Sequence, residues 1–231
     1  MKNKTNNEGG KVFKHGLMTM QTAANRTTPL TKPTKVKFAR GNKKLPDSTF
    51  ILNMNSATDC PSLKLGMCQC PSSGKGSCYA MKPEIQYPKT VLKSRREQAR
   101  IWKKLSAREI ATQLLDASHR ARKNKMKAFR FSEAGDFDSQ ADVDKMSEVC
   151  AILSEAGVKC YGYTARKDLD YSELKLFASV QGSGFAVTNE FRLLKTQAEI
   201  DSFKGLICPG DCRTCSACVV AKGIVIGVKG H

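Results

Sequence analysis

The chain has 231 residues, 40% of them hydrophobic, enough for one or two domains with buried cores and too many for wholesale disorder. No window approaches the roughly 18 uninterrupted apolar residues of a membrane span, and the basic N-terminus lacks the apolar stretch of a secretion signal, so the chain is expected to fold in the cytoplasm. Lys and Arg number 39 against 21 Asp and Glu, a net charge of +18, and there are ten cysteines; in a reducing compartment such cysteines hold metal more often than they pair as disulfides.

In chain order, residues 1–46 carry eleven bases and one acid with few large apolar side chains, and read as a mobile basic arm. A solubilising tail without a partner has the same composition. The remainder, 47–231, reads as a single α/β domain. Thr49 to Met54 is a short apolar run bounded by turn residues and predicts a strand that feeds directly into a cysteine loop. That loop holds Cys60, Cys68, Cys70 and Cys78, with gaps of seven, one and seven residues that match no standard zinc finger. Three of its thiols suffice for a [4Fe-4S] cluster with one iron open, and all four for a closed structural site. The SSGKGS run at 72–77 lacks the full spacing of a phosphate-cradling loop and reads as a turn.

Residues 82–130 hold fifteen bases and four acids. From Thr90 to Leu105 the apolar positions Val91, Leu92, Ile101, Trp102 and Leu105 predict a helix, leaving Lys93, Arg95, Arg96, Arg100, Lys103 and Lys104 on its outer surface. Ser106 and Glu109 have the spacing of a capping box and open a second helix through Ile110, Leu114, Leu115 and Ala121. It runs out in HRARKNKMK, with Arg120, Arg122, Lys123 and Lys125. An excess of positive charge this dense repels itself without a counter-charge, so DNA or RNA is the expected partner of these residues. A solvated helix face accounts for some of them.

KAFRFSE at 127–133 alternates Phe129 and Phe131 on one face, a strand. Ser139 is placed to cap a helix with Val143, Met146, Val149, Cys150 and Leu153, closed by Ala156 and Gly157. Strand VKCYGYT at 158–164, a helix opened by Asp170 and Glu173 through Leu174 and Phe177, strand GFAVT at 184–188 and a short helix from Thr196 and Glu199 follow. Gly205 to Ile207 and Ile224 to Val228 are strand candidates around the last cysteine loop. This alternation predicts a parallel sheet with crossover helices, either an incomplete (β/α) barrel or an open sheet.

Ligands in such folds gather at the carboxyl ends of the strands. Three polar segments fall there by order: the first cysteine loop, the acidic turn SEAGDFD after Phe131, and the TARKD turn after Tyr163. Glu133, Asp136 and Asp138 form the acidic cluster; Glu133 and Asp136 are the candidates for proton transfer or for holding a cofactor amine, and capping of the following helix is their ordinary role. Cys208, Cys212, Cys215 and Cys218 lie in CPGDCRTCSAC, a C-x3-C-x2-C-x2-C run. Four thiols from one local loop favour an iron-sulfur cluster, with Zn2+ as the alternative. Cys150 and Cys160 read as small buried hydrophobes, and His15, His119 and His231 stand outside any ligand pattern.

The CYA after the first cysteines, the basic helix after Tyr87 and Pro88, GDF at 135–137, YGYT, and the terminal cysteine run together resemble the bacteriophage gene product 88 family, over about residues 49–231. The order of elements is similar, more distantly, to radical S-adenosylmethionine enzymes. That likeness implies a partial (β/α) barrel with a [4Fe-4S] cluster in the loop after the first strand. It further implies S-adenosylmethionine contacted at Glu133, Gly135 and Asp136, and an auxiliary cluster at Cys208, Cys212, Cys215 and Cys218, although the C-x3-C-x2-C spacing of that superfamily is absent from the first loop.

Overall fold

The computed structural model describes residues 34–69 and 78–229. Cys70, the 72–77 run, His15, His231 and residues 1–33 of the expected arm lie outside them.

Eight strands form one open, mostly parallel sheet: β1 (Ala39–Arg40), β2 (Thr49–Leu52), β3 (Ala128–Phe131), β4 (Lys159–Thr164), β5 (Ala178–Ser183), β6 (Asn189–Leu194), β7 (Leu206–Ile207) and β8 (Val225–Lys229). Their spatial order is β1-β2-β3-β4-β5-β6-β8-β7. Only β1 runs antiparallel to its neighbour. The helices are α1 (Pro61–Lys64), α2 (Met81–Gln86), α3 (Lys93–Lys104), α4 (Ala107–His119), α5 (Gln140–Glu155), α6 (Leu174–Phe177), α7 (Gln197–Ser202) and α8 (Ala217–Val220).

The sheet has two unlike faces because side chains alternate along each strand. Phe50, Leu52, Phe129 and Phe131 point one way and are sealed by Ile101, Trp102, Ile110, Leu114, Met146 and Val149 from α3, α4 and α5. Cys150 and Cys160 sit in this core, as their apolar surroundings in sequence imply. Gly162 is required there: a β-carbon on it would fall 2.2 Å from the Phe131 ring, which lies over its neighbour in the register. On the opposite face Ile51 and Tyr161 meet Leu45, Tyr163, Cys212, Cys218 and Val219. The terminal cysteine loop, not a layer of long helices, covers that second face.

The capping boxes at Ser106 with Glu109 and at Thr196 with Glu199 both form. The helix expected from Thr90 starts instead as a π-turn over Pro88–Leu92, with Pro88 at its first position, and becomes regular at Lys93. Ser139 holds the N-cap position of α5 without a side-chain bond; the Asp142 carboxylate takes the Asp138 amide instead.

Three expectations are corrected. GFAVT at 184–188 is the turn between β5 and β6, and the helix from Asp170 is a single turn, α6, that runs straight into β5. The strands were obscured by polar residues that the fold satisfies internally: Gln181 donates to the Cys218 carbonyl at 2.8 Å, and Asn189 to Gln181 at 2.9 Å. The arm also ends earlier than composition suggests. Phe38 stacks on Phe50 at 4.6 Å, Leu45 is buried, and Val36 donates its amide to Gln113 on α4, so residues 34–46 belong to the domain. Their basic side chains mask the apolar ones that anchor them.

Candidate functional site

The three polar segments placed at the strand ends by order do converge. Asn53, just past β2, accepts the Ala134 amide at 2.8 Å, and Asn55 donates to the Asp136 carbonyl and the Asp138 carboxylate. Arg166, past β4, donates to the Phe137 carbonyl. Gly135 makes the close approach feasible. Its φ is +74°, and a β-carbon there would lie 2.5 Å from Asn55.

Asp136 is the joint. Its carboxylate accepts from Ser62 Oγ (2.6 Å), Ala165 N (2.7 Å), Thr164 Oγ1 (2.8 Å) and Phe137 N (2.9 Å), and the residue is 3% exposed. Burial holds its carboxyl above the ordinary Asp value, against the pull of these donors. A carboxylate offers about four lone-pair sites, and all are taken. Asp136 is an architectural clamp tying the first cysteine loop to the ends of β3 and β4. Glu133 is also engaged, accepting from Asn42 at 2.5 Å and facing Arg95 at 3.8 Å, while its carbonyl takes the Tyr79 hydroxyl.

Of the first cysteines, Cys60 caps α1, and burial, followed by the nearby Asp136 charge, raises its thiol to about 12. The charge of Cys68 reaches it, whereas Cys78 packs beside Ala57, Ala80 and Ala134.

The second loop lies against the sheet. Cys208 donates its amide to Gly227 and Cys212 to Lys44, while Tyr163 donates its hydroxyl to the Cys218 sulfur at 3.0 Å. Burial raises both the Cys212 and Cys218 thiols; Cys208 and Cys215 add to the rise at Cys212, and Cys208 and Cys212 to that at Cys218. The four thiols thus share one electrostatic neighbourhood. Among the described residues no three His, Cys, Asp or Glu side chains close on a common point as ligands of one metal ion. Arg130 on β3 lowers both Cys212 and Cys218, and its guanidinium carbon lies 5.2 Å from the centre of the Tyr163 ring. Sequence reasoning missed Arg130, Tyr161 and Tyr163: alternation in AFRF and KCYGYT assigns them to the face opposite the helices, which reads as solvent unless another segment covers it.

The gene product 88 family model matches residues 17–189. The chain belongs to this family. Among curated proteins and solved structures nothing matches it. The gene product 88 match begins earlier than the resemblance drawn from motifs, taking in part of the basic N-terminal stretch, and it ends before Cys208. The first cysteine loop, the acidic turn and β3 to β5 are therefore gene product 88 features, and the four-cysteine run lies beyond the matched segment.

The basic residues of this gene product 88 chain divide. Arg95 does not take the outer position expected of it: it is buried, donating to the Ala80 carbonyl at 2.7 Å and to Glu84 at 2.8 Å. The helical wheel hid it because α2, which carries Glu84, packs against that side of α3. Arg96 pairs with Asp59, Arg100 with Glu97 and Lys103 with Asp138; Lys93 and Lys104 are exposed without an ion pair among the described residues. A groove of about 750 Å³ gathers Lys37, Thr90, Lys93, Ser94, Arg96 and Arg100. Arg120, Arg122, Lys123 and Lys125 are exposed at the opposite end of the sheet, where α4 turns into β3. No described helix is long and apolar enough to cross a membrane.

Proposed function

We propose that this chain is a thiolate-metal protein that engages nucleic acid. Cys208, Cys212, Cys215 and Cys218 are assigned as the ligands of an iron-sulfur cluster. The observation that carries this is an all-thiol set from one loop that packs over a sheet face through Cys212 and Cys218, with the cationic Arg130 close enough to act on both. An all-sulfur donor set suits iron-sulfur and zinc centres and disfavours hard cations. A bound cluster supplies one-electron transfer; the chain's part is to seat the thiols, exclude water with Tyr161 and Tyr163, and offset thiolate charge with Arg130.

Cys60, Cys68 and Cys78, with Cys70, are assigned to a second centre. The radical S-adenosylmethionine version of this reading gains nothing from the acidic turn, since the Asp136 oxygens are already spent. Anaerobically purified full-length protein is expected to be brown and to contain iron and acid-labile sulfide in equal amounts, with the broad visible absorption diminished in Cys212→Ser and Cys218→Ser. Colourless protein carrying stoichiometric zinc and no sulfide replaces this reading with that of a zinc-stabilised, non-catalytic module.

Phosphate contact is assigned to the groove of Lys37, Lys93, Arg96 and Arg100 and to the Arg120–Lys125 turn. Binding of single- or double-stranded nucleic acid is expected to weaken linearly on a log-log plot against salt. The slope should drop by about 0.7–0.9 for each contacting base removed, with Lys93→Ala and Lys123→Ala as first variants. A flat salt dependence defeats phosphate contact.

A further inference from the structure

Among the described residues, two buried side-chain polar atoms have no hydrogen-bond partner: Arg130 Nε and Ser132 Oγ. Buried polar groups in folded proteins are nearly always paired, so two orphans on one strand end need a reason. Arg130 ends β3 together with Phe131, and Ser132 follows directly, with its amide still bonded to Leu52 on β2. This is the carboxyl edge of the sheet, where parallel α/β folds receive ligands.

The surroundings of Arg130 are unusual for a cation. Its Nη2 donates to the Tyr79 hydroxyl at 3.3 Å, and its guanidinium lies over the Tyr163 ring. Among the described residues it makes no salt bridge, although Arg95, Arg96, Arg100, Arg166, Arg192 and Arg213 all do. Ser132 is 4% exposed and has a φ of +55°. A residue with a β-carbon enters that left-handed region at a cost, and such strain collects at ligand-binding positions. A strained, buried serine with an idle hydroxyl, two residues along the chain from an arginine with an idle Nε, has the composition of a site for a hydrogen-bond acceptor.

We infer that Arg130 and Ser132 form an oxyanion-binding corner that takes the phosphate or carboxylate group of a small molecule, on the sheet face between the two cysteine loops. The planar guanidinium presents Nε and a terminal nitrogen on one edge, a fork that matches two oxygens of such a group. The serine hydroxyl supplies a further donor. The inference stands on these two side chains and does not depend on metal at the thiols.

The test uses 15N-labelled full-length protein as purified. The Arg130 Nε–H resonance, identified by its loss in Arg130→Lys, is followed during titration with inorganic phosphate and, separately, acetate at fixed ionic strength. The expected result is a saturable shift in at least one arm, and the arm that responds more strongly names the group. The dissociation constant for that anion, read in every variant from the backbone amide shifts of residues 130–134 in the same spectra, is expected to rise about tenfold in Arg130→Lys, which keeps the charge and loses the fork, and several-fold in Ser132→Ala. Ser132→Ala removes an unpaired hydroxyl, so the anion-free protein melts at or above the wild-type temperature and remains available for measurement. A resonance unmoved by both anions overturns the inference. So does phosphate binding that is lost in Lys93→Ala with Arg100→Ala but kept in Arg130→Lys, because that places the anion in the surface groove.

Discussion

Replacing Asp136 with alanine is expected to lower the unfolding free energy by about 3–5 kcal/mol, seen as a lower denaturation midpoint at unchanged m-value. The carboxylate collects two backbone amides, Phe137 and Ala165, and two hydroxyls, Ser62 and Thr164. The hydroxyls can rotate toward other acceptors, whereas the amides are fixed by the chain, and each stranded buried donor costs roughly 1–3 kcal/mol. Asparagine keeps the volume but puts an amide NH2 donor where an acceptor is needed, so Asp136→Asn should fall between. The variant also frees the loop that carries Cys60, whose thiol is suppressed by burial and by the Asp136 charge; alkylation of Cys60 should accelerate in Asp136→Ala relative to wild type. A loss below about 1 kcal/mol with unchanged Cys60 reactivity would show that the strand ends are held together by something else.

The convergence around Asp136 was readable because it follows from topology. Once parallel strands alternate with crossover helices, every segment after a strand emerges at the same edge, so the loop after Met54, the turn after Phe131 and the turn after Tyr163 had to meet. The helical core was equally readable, since Ile110 and Leu114, or Met146 and Val149, carry the helical period without interference. What the pattern could not carry was the role of Asp136 itself. A carboxylate serving chemistry and one serving as a clamp have the same sequence signature, and only the count of donors separates them.

The second sheet face was less legible for a related reason. Arg130, Tyr161, Tyr163, Ser179 and Gln181 alternate with apolar residues as solvent-facing positions do, yet the cysteine loop from Cys208 lies over them. A cover supplied from far along the chain leaves no trace in local periodicity. The same blindness cost β5 and β6, whose inward polar residues are paired with each other and with the loop. Residues 34–46 failed in the opposite sense: their charge dominates composition, while a few contacts, Phe38 on Phe50 and Leu45 in its niche, decide their placement.

Arg95→Ala is expected to destabilise the fold by about 3–5 kcal/mol, the range found when one member of a buried ion pair is removed. Glu84 is 1% exposed and Arg95 8%, and the carboxylate also holds the amides of Ala57 and Thr58 and the Thr58 hydroxyl. Although burial pushes the Glu84 carboxyl up, these bonds and Arg95 outweigh it and keep it below the usual range. Without the guanidinium an unpaired charge is left in the interior, against Ala57 and Thr58 in the segment that leads into Cys60. Arg95→Met with Glu84→Gln should recover part of the loss, because the charge is gone while one amide oxygen still serves Ala57 or Thr58. Nucleic-acid affinity of the folded double variant should match wild type, in contrast to Lys93→Ala. Were Arg95→Ala instead to leave stability within about 1 kcal/mol and weaken nucleic-acid binding, Arg95 would be a phosphate ligand and its pairing with Glu84 dispensable.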